Sequence, residues 1–223
     1  VVGSLKKPVS LCFEVANGPC CTFHFSKDGC TISEGSYGCT CKMNFASPEK
    51  FNALIDNNKP GMPTKNVAQV LSFLLGPFTK LTNRLTELLM PSEENLKKRA
   101  FFEESTVLTF YTIAGALSAL ANHDSVAKHS AFYTVDGDIQ MGITDVCYAT
   151  LRVRNHTFET IKEKPDTPRA IMEFKTIDLA NALFNGTAST MAELCAGNIY
   201  MSGMINMIDN VNRILDRVGM YLG

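Results

Sequence analysis

Few residues of this chain are spaced to do chemistry. His24, His123, His129 and His156 are scattered, and none sits beside a cysteine, serine or acid in a recognisable nucleophile setting. His123-Asp124 reads as a turn in which the aspartate caps or bends the chain. Asp136-Gly137-Asp138 has the composition of a calcium loop but lacks the ligands that should follow, so it reads as a hairpin turn. Glu159, Glu163 and Asp166 read as solvated charges rather than a catalytic set. There is no phosphate loop, no G-x-G-x-x-G and no G-x-S-x-G. These features predict no catalytic residues, no cofactor and no metal: the chain reads as a non-enzyme.

The eight cysteines invite a metal or disulfide reading. Cys12, Cys20, Cys21, Cys30, Cys39 and Cys41 crowd the first part of the chain, while Cys147 and Cys195 stand apart. No C-x-x-C occurs, and the spacing does not fit zinc. They are expected to be free thiols, small buried hydrophobes in a reducing, cytoplasmic setting, with Cys195 on a helical segment facing its core.

The methionines carry a different chemistry. Five of the ten, Met191, Met201, Met204, Met207 and Met220, lie between residues 191 and 220, with Met172 just upstream. Methionine is flexible and polarisable, and is used where a surface must accept several apolar partners. It also fills gaps in small cores, and by helical spacing alone both readings stay open.

The elements that must position these side chains are clearest near the C-terminus. Arg169 to Phe174 reads as a strand, and Ile177 to Asn185 as a helix closed by Gly186 at a C′ position. Met204, Ile208, Val211, Leu215, Val218 and Leu222 recur at helical steps, with Met207 and Ile214 flanking that stripe and Asp209 and Arg213 paired on the outer face.

That stretch has an echo. Met43-Asn-Phe45 matches Met172-Glu-Phe174, Asn52-Ala-Leu54 matches Asn181-Ala-Leu183, and Asn83-Arg84-Leu85 matches Asn212-Arg213-Ile214. Thr31-Ile32-Ser33-Glu34 also matches Thr160-Ile161-Lys162-Glu163, and every pair is 129 residues apart. Chance does not readily produce four matches in one register, so the chain reads as two copies of one unit, 1–91 and 92–223.

In chain order, residues 9–16, 21–25, 30–34 and 39–45 read as an antiparallel meander. A helix starts at Ser47-Pro48, and helices over 67–75 and 78–90 are separated by Gly76-Pro77. From Pro91 to Asn122 the pattern is mainly helical, a leading segment the first copy lacks, with Thr106 to Ile113 ambiguous because of its β-branched residues. The second meander is expected over 130–135, 138–143, 148–153 and 157–162.

Composition narrows the function classes. Net charge is −1 with dispersed lysines and arginines, which argues against a nucleic-acid footprint. The most apolar window, Val107 to Ala121, is interrupted by Thr109, Thr112 and Ser118 and is shorter than the ~20 residues of a spanning helix, so no stable membrane insertion is expected. Val1 is not an initiator methionine, and trimming of the natural N-terminus is expected.

Over Arg169 to Leu222 the sequence resembles the sterol carrier protein type 2 family, the non-specific lipid-transfer fold. The strand ending near Phe174, the helix closed by Gly186, the segment Gly197-Asn198-Ile199-Tyr200-Met201-Ser202-Gly203 and the amphipathic last helix carry the likeness. It is clearest over 130–222, with a degenerate copy in 9–90, where Ala68 and Leu74 replace the two bracketing glycines. The resemblance implies an α/β (α+β) fold of two tandem units, each a mainly antiparallel curved sheet covered by helices that enclose an apolar tunnel. Expected tunnel residues are Met172, Phe174, Phe184, Met191, Leu194, Met201, Met204, Met207, Ile208 and Val211. The expected function is a non-enzymatic carrier of an apolar small molecule, with lipid (sterol, fatty acid or acyl chain) as the class. The alternative is an accessory or oligomerisation module of a partner enzyme with no ligand of its own. Assembly into a homo-oligomer is open in either case.

Overall fold

The structure, a computed structural model, describes residues 5, 7–57, 63–65 and 71–222. It divides into two compact units, Val1–Thr86 and Glu87–Gly223. Among the described residues each unit holds one five-stranded sheet with helices, a mixed α/β architecture.

In the first unit β1 (Val9–Val15), β2 (Cys20–Ser26), β3 (Gly29–Glu34), β4 (Cys41–Phe45) and β5 (Pro63–Lys65) take the order β3-β2-β1-β4-β5. Alternation sets the faces. Leu11 lies opposite Phe23 on one side and Cys41 on the other, and Val15 lies opposite Phe45, so one face gathers the apolar residues. Leu11, Val15, Phe25, Cys41, Met43 and Phe45 form the core there with Leu5 and Phe73. Helix α1 (Pro48–Asn57) follows, and α2 (Thr79–Leu89) begins in this unit and ends just past its last residue, Thr86.

The second unit begins its helices with α3 (Glu93–Leu96), α4 (Arg99–His123) and α5 (Ala127–Phe132). Strands β6 (Gly137–Ile143), β7 (Cys147–Arg154), β8 (Thr157–Ile161), β9 (Ala170–Phe174) and β10 (Ile199–Gly203) take the order β10-β9-β6-β7-β8. Helices α6 (Ile177–Phe184) and α7 (Thr190–Cys195) lie between β9 and β10, and α8 (Ile205–Leu222) ends the unit.

The two sheets share strand order and pairing sense throughout. Each is an antiparallel three-strand meander whose first strand also pairs in parallel with the fourth. This corrects the expectation that the fourth strand simply extends the meander. The connection leaves the outer strand and crosses the sheet face. Thr22 donates to the Gly35 carbonyl at 2.6 Å, and the Thr40 N–H donates to Ser10 Oγ at 2.9 Å. The chain then enters β4 beside β1, where Cys41, Met43 and Phe45 join the core.

Register refines the echo. Leu11 opposite Phe23 and Phe23 opposite Ile32 correspond to Ile139 opposite Leu151 and Leu151 opposite Thr160, an offset of 128 in the three meander strands. Leu11 opposite Cys41 corresponds to Ile139 opposite Ala170, an offset of 129 for β4 and β9. Met43 and Met172 are therefore equivalent, but Thr31-Ile32 and Thr160-Ile161 are one residue out of register. A slip of one exchanges the faces of a strand, so this sequence match is not a structural one.

Three local expectations also change. Ser130 to Val135 forms no strand: Ser130 to Phe132 end α5, and Tyr133 to Val135 follow it as turn and irregular chain. Asp124 Oδ1 accepts the N–H groups of Val126 and Ala127, capping that turn, and Ala127, Ser130 and Ala131 are small enough to be buried. Gly76-Pro77 does not break the helix: Leu74–Phe78 forms a π-helical turn leading into α2, with Thr79 Oγ1 donating to the Leu74 carbonyl at 2.6 Å. Residues 67–70 of the expected helix, including Ala68, lie outside the described residues. The ambiguous Thr106 to Ile113 is helical within α4, where the Thr106 and Thr112 hydroxyls bond the carbonyls four residues back. No helix of the described residues is long and apolar enough to cross a membrane.

Candidate ligand-binding site

The second sheet presents a row of methionines to its helices. Met141 of β6 lies directly opposite Met172 of β9, and Met172 lies opposite Met201 of β10. Directly paired residues share a face, so the three sulfurs cross three adjacent strands on one side. A second row runs parallel, with Ile143 opposite Phe174 and Phe174 opposite Ile199. Phe174 meets Phe184 of α6 edge to face at 5.6 Å.

Helix α8 closes this face, packing against β9, α4 and α5. Met207, Val211 and Ile214 are fully buried, Ile208 and Val218 nearly so, while Met204 and Leu215 are only half-buried. The buried stripe is thus turned from the expected one, centring on the residues read as flanking. The Asp209–Arg213 pair forms on the outer face at 2.9 Å. The helix is also tied down near its end: Arg217 donates to Asp124 at 2.9 Å and the Tyr221 hydroxyl to the same carboxylate at 3.0 Å. Arg217 above all, with the Ala127 N–H, holds the Asp124 carboxyl far below the usual carboxylate range.

Nine of the ten expected tunnel residues come together here. Met172, Phe174, Met207, Ile208 and Val211 belong to the buried core, and Phe184, Leu194, Met201 and Met204 pack against it half-buried. Met191 does not join them: it is 69% exposed on the outer side of α7. Cys195, expected to face the core, is also exposed. Met141 was missed, since a lone methionine in Asp138-Ile-Gln-Met141-Gly-Ile143 shows no periodic company. Only the parallel pairing of β6 with β9 brings it beside Met172.

The strand side of this wall is apolar, whereas α8 also buries Asn210, which donates to Asn206 Oδ1 at 3.3 Å. Among the described residues no buried side-chain nitrogen or oxygen lacks a hydrogen-bond partner. Polar groups lie on the opposite face, where Gln140 bonds Glu173 and where Arg152 and Arg154 pair with Asp138. Asp136-Gly137-Asp138 is therefore not a hairpin turn. It opens β6, and Asp136 accepts the Asn155 N–H at 2.9 Å. All eight cysteines are free; burial pushes the Cys147 thiol up to about 11.

The equivalent face of the first unit is built differently. Phe13 stands where β6 has Met141, and it contacts Phe23 and Phe45, while Phe25 meets Phe73 and Phe78. A groove of about 320 Å³ in this unit lies near the start of β1 and has a mixed lining, with Ser10, His24, Thr31 and Thr40 beside Pro8, Val9 and Phe25.

Gly203 controls how β10 meets β9. Its φ is +90°, and a Cβ there would run into the Arg169 carbonyl oxygen and the Ala170 backbone. The Met204 N–H donates to that same carbonyl at 2.9 Å as the chain turns into α8.

No protein-family model and no curated protein matches this chain. Solved structures do. A UbiJ-SCP2 ubiquinone synthesis protein matches with a TM-score of 0.39 and 12% identity, covering 50% of this chain and 95% of that one. Sterol carrier protein 2 like 2 from Aedes aegypti matches with a TM-score of 0.36 and 14% identity, covering 47% of this chain and 94% of that one. Domain 2 of the Helicoverpa armigera sterol carrier protein matches with a TM-score of 0.40 and 10% identity, covering 52% and 89%. The likeness is one of fold, a sterol-carrier-like α/β arrangement over about half of this chain.

Proposed function

We propose that this protein is a non-enzymatic carrier of an apolar small molecule, a lipid with an acyl or sterol skeleton, held in the second unit between the sheet and α8. The observation that carries the reading is the row Met141, Met172 and Met201. It runs from the centre of the sheet to its β10 edge under a wall formed by Met204 and Met207. Unbranched thioether side chains repack around differing hydrocarbon shapes at low cost, and a wall without spare polar groups selects against polar ligands. Met201 and Leu194 are half-buried at the β10 side, which is where a ligand would enter. The phenylalanine-filled face of the first unit favours one ligand per chain, carried by the second of two related units.

The eight free thiols suit a reducing compartment, and we place the protein in the cytoplasm. A second reading, an accessory module with no ligand, is favoured by the complete burial of Met207 and Val211. Organic extraction of the purified protein, followed by mass spectrometry, separates the two. A lipid at near-stoichiometric level supports the carrier; a clean extract, no uptake of a fluorescent fatty acid and a stable complex with an enzyme support the module.

A further inference from the structure

The first unit leaves one strand edge open. β3 is an outer strand of its sheet, and Cys30 to Glu34 are all exposed, Ile32 at 65%. Its counterpart β8 is also an outer strand, but it is closed off. Asn122 of α4 donates to the Phe158 carbonyl at 2.8 Å and accepts the Phe158 N–H at 2.9 Å, so one side-chain amide stands in for a neighbouring strand. The Thr160 hydroxyl beside it donates to the Ala114 carbonyl of the same helix at 2.7 Å. By register, Phe158 corresponds to Cys30 and Thr160 to Ile32.

The direction of the β3 backbone groups follows from its hairpin. The turn closes on Ser26 and Gly29, and the Gly35 N–H donates to the Cys20 carbonyl at 2.8 Å, so the odd-numbered residues bond inward to β2. Cys30, Ile32 and Glu34 direct their N–H and C=O groups outward, as Phe158 does in β8. Among the described residues the outward groups of Cys30 and Ile32 meet no partner. Apart from Glu34 at its end, the strand lacks the usual protections of an edge: it has no lysine, no proline and no covering helix among the described residues.

We propose that β3 pairs antiparallel with β3 of a second copy of this chain, joining two five-stranded sheets edge to edge. Self-pairing is favoured over capture of a charged peptide because Glu34 is the only charged residue in the strand. The charges also choose the register. Centring the two-fold axis on Thr31 would set Glu34 against the partner's Asp28, two like charges face to face. Centring it on Ile32 sets Ile32 against the partner's Ile32, Thr31 against the partner's Ser33, and Cys30 against the partner's Glu34. That arrangement satisfies the outward backbone groups at the centre and takes two exposed isoleucines out of water, and it is isologous, so it closes at two copies.

Light scattering coupled to size exclusion, run from low to high micromolar concentration, tests this. The wild type should shift towards twice the chain mass as concentration rises. Ile32→Pro removes an outward N–H without touching the ladder to β2, and Ile32→Lys places a charge on the axis; both should remain at one chain mass with an unchanged far-UV spectrum. Should the proline variant lose its fold, the lysine variant at this exposed side chain decides alone. A wild type that stays monomeric at every concentration overturns the proposal, and so does a dimer that survives Ile32→Lys.

Discussion

Thr22 and Thr150 make the same hydrogen bond, each hydroxyl donating to the carbonyl thirteen residues downstream, to Gly35 at 2.6 Å and to Glu163 at 2.7 Å. Both are buried, at 0% and 2% exposure, and both sit on the sheet face away from the core. They fasten the crossing that, in each unit, takes the chain from the outer strand of the meander to the parallel place beside its first strand.

Replacing Thr150 with valine keeps the shape and removes the donor, leaving the Glu163 carbonyl without it. The expected cost is about 1–3 kcal/mol in the second unit, with the crossing loosened. A thermal melt that matches the wild type would show that water takes over the bond without loss.

Gly203→Ala should be worse for its size than any methyl addition at the surface. The residue holds φ at +90°, and the added Cβ meets the Arg169 carbonyl oxygen, so β10 must lift from β9. A destabilisation of more than about 1 kcal/mol is expected, together with faster amide exchange in residues 199–203. Unchanged protection there would contradict the close approach.

Met207→Asp separates the two functional readings. If α8 borders a ligand space that can admit water, binding of a fluorescent fatty acid is abolished while the melting temperature falls modestly. If Met207 only fills a packed core, an unpaired charge at this fully buried position costs several kcal/mol and the unit unfolds. One variant, measured by ligand titration and by a melt, gives both answers.

Asp124 sets an acid limit. Its folded pKa is depressed by Arg217, so the stability it contributes is present above the unfolded value of about 3.9 and is lost as pH falls below it. Asp124→Asn should lower stability at neutral pH and flatten the acid side of the stability profile. A parallel profile in wild type and variant would remove Asp124 from that role.

Much of the second unit was legible because its signals are local. Gly186, at φ +67°, ends α6 as its place after Asn185 indicates, a signal written within a residue of the helix itself. The site needed more. Met141 and Met172 are thirty-one positions apart, and only the parallel pairing makes them neighbours. Helical spacing located the stripe of α8 but not its rotation, because both Met204 and Met207 fit an apolar face and packing against β9, α4 and α5 chooses between them. Met191 failed for a related reason: composition grouped it with the other methionines, but α7 turns it outward. The echo placed β4 and β9 in register and misplaced the meander by one, since short identities do not reveal a single-residue insertion in a connection.

The parallel seam between β6 and β9 also orders events in time. Hairpins β6–β7 and β7–β8 close over short stretches of chain, whereas β9 must return past both to reach β6, and α8 comes after it. Loop-closure entropy makes such distant pairings late steps. Of the methionine row only Met141 lies in the early hairpins; Met172 and Met201 arrive with β9 and β10, and only Met204 separates β10 from α8, so the apolar face and its cover are completed together as the last stage. An apolar molecule that reaches the face at that stage would be enclosed as the helix docks, so loading during folding and exchange afterwards would follow different kinetics.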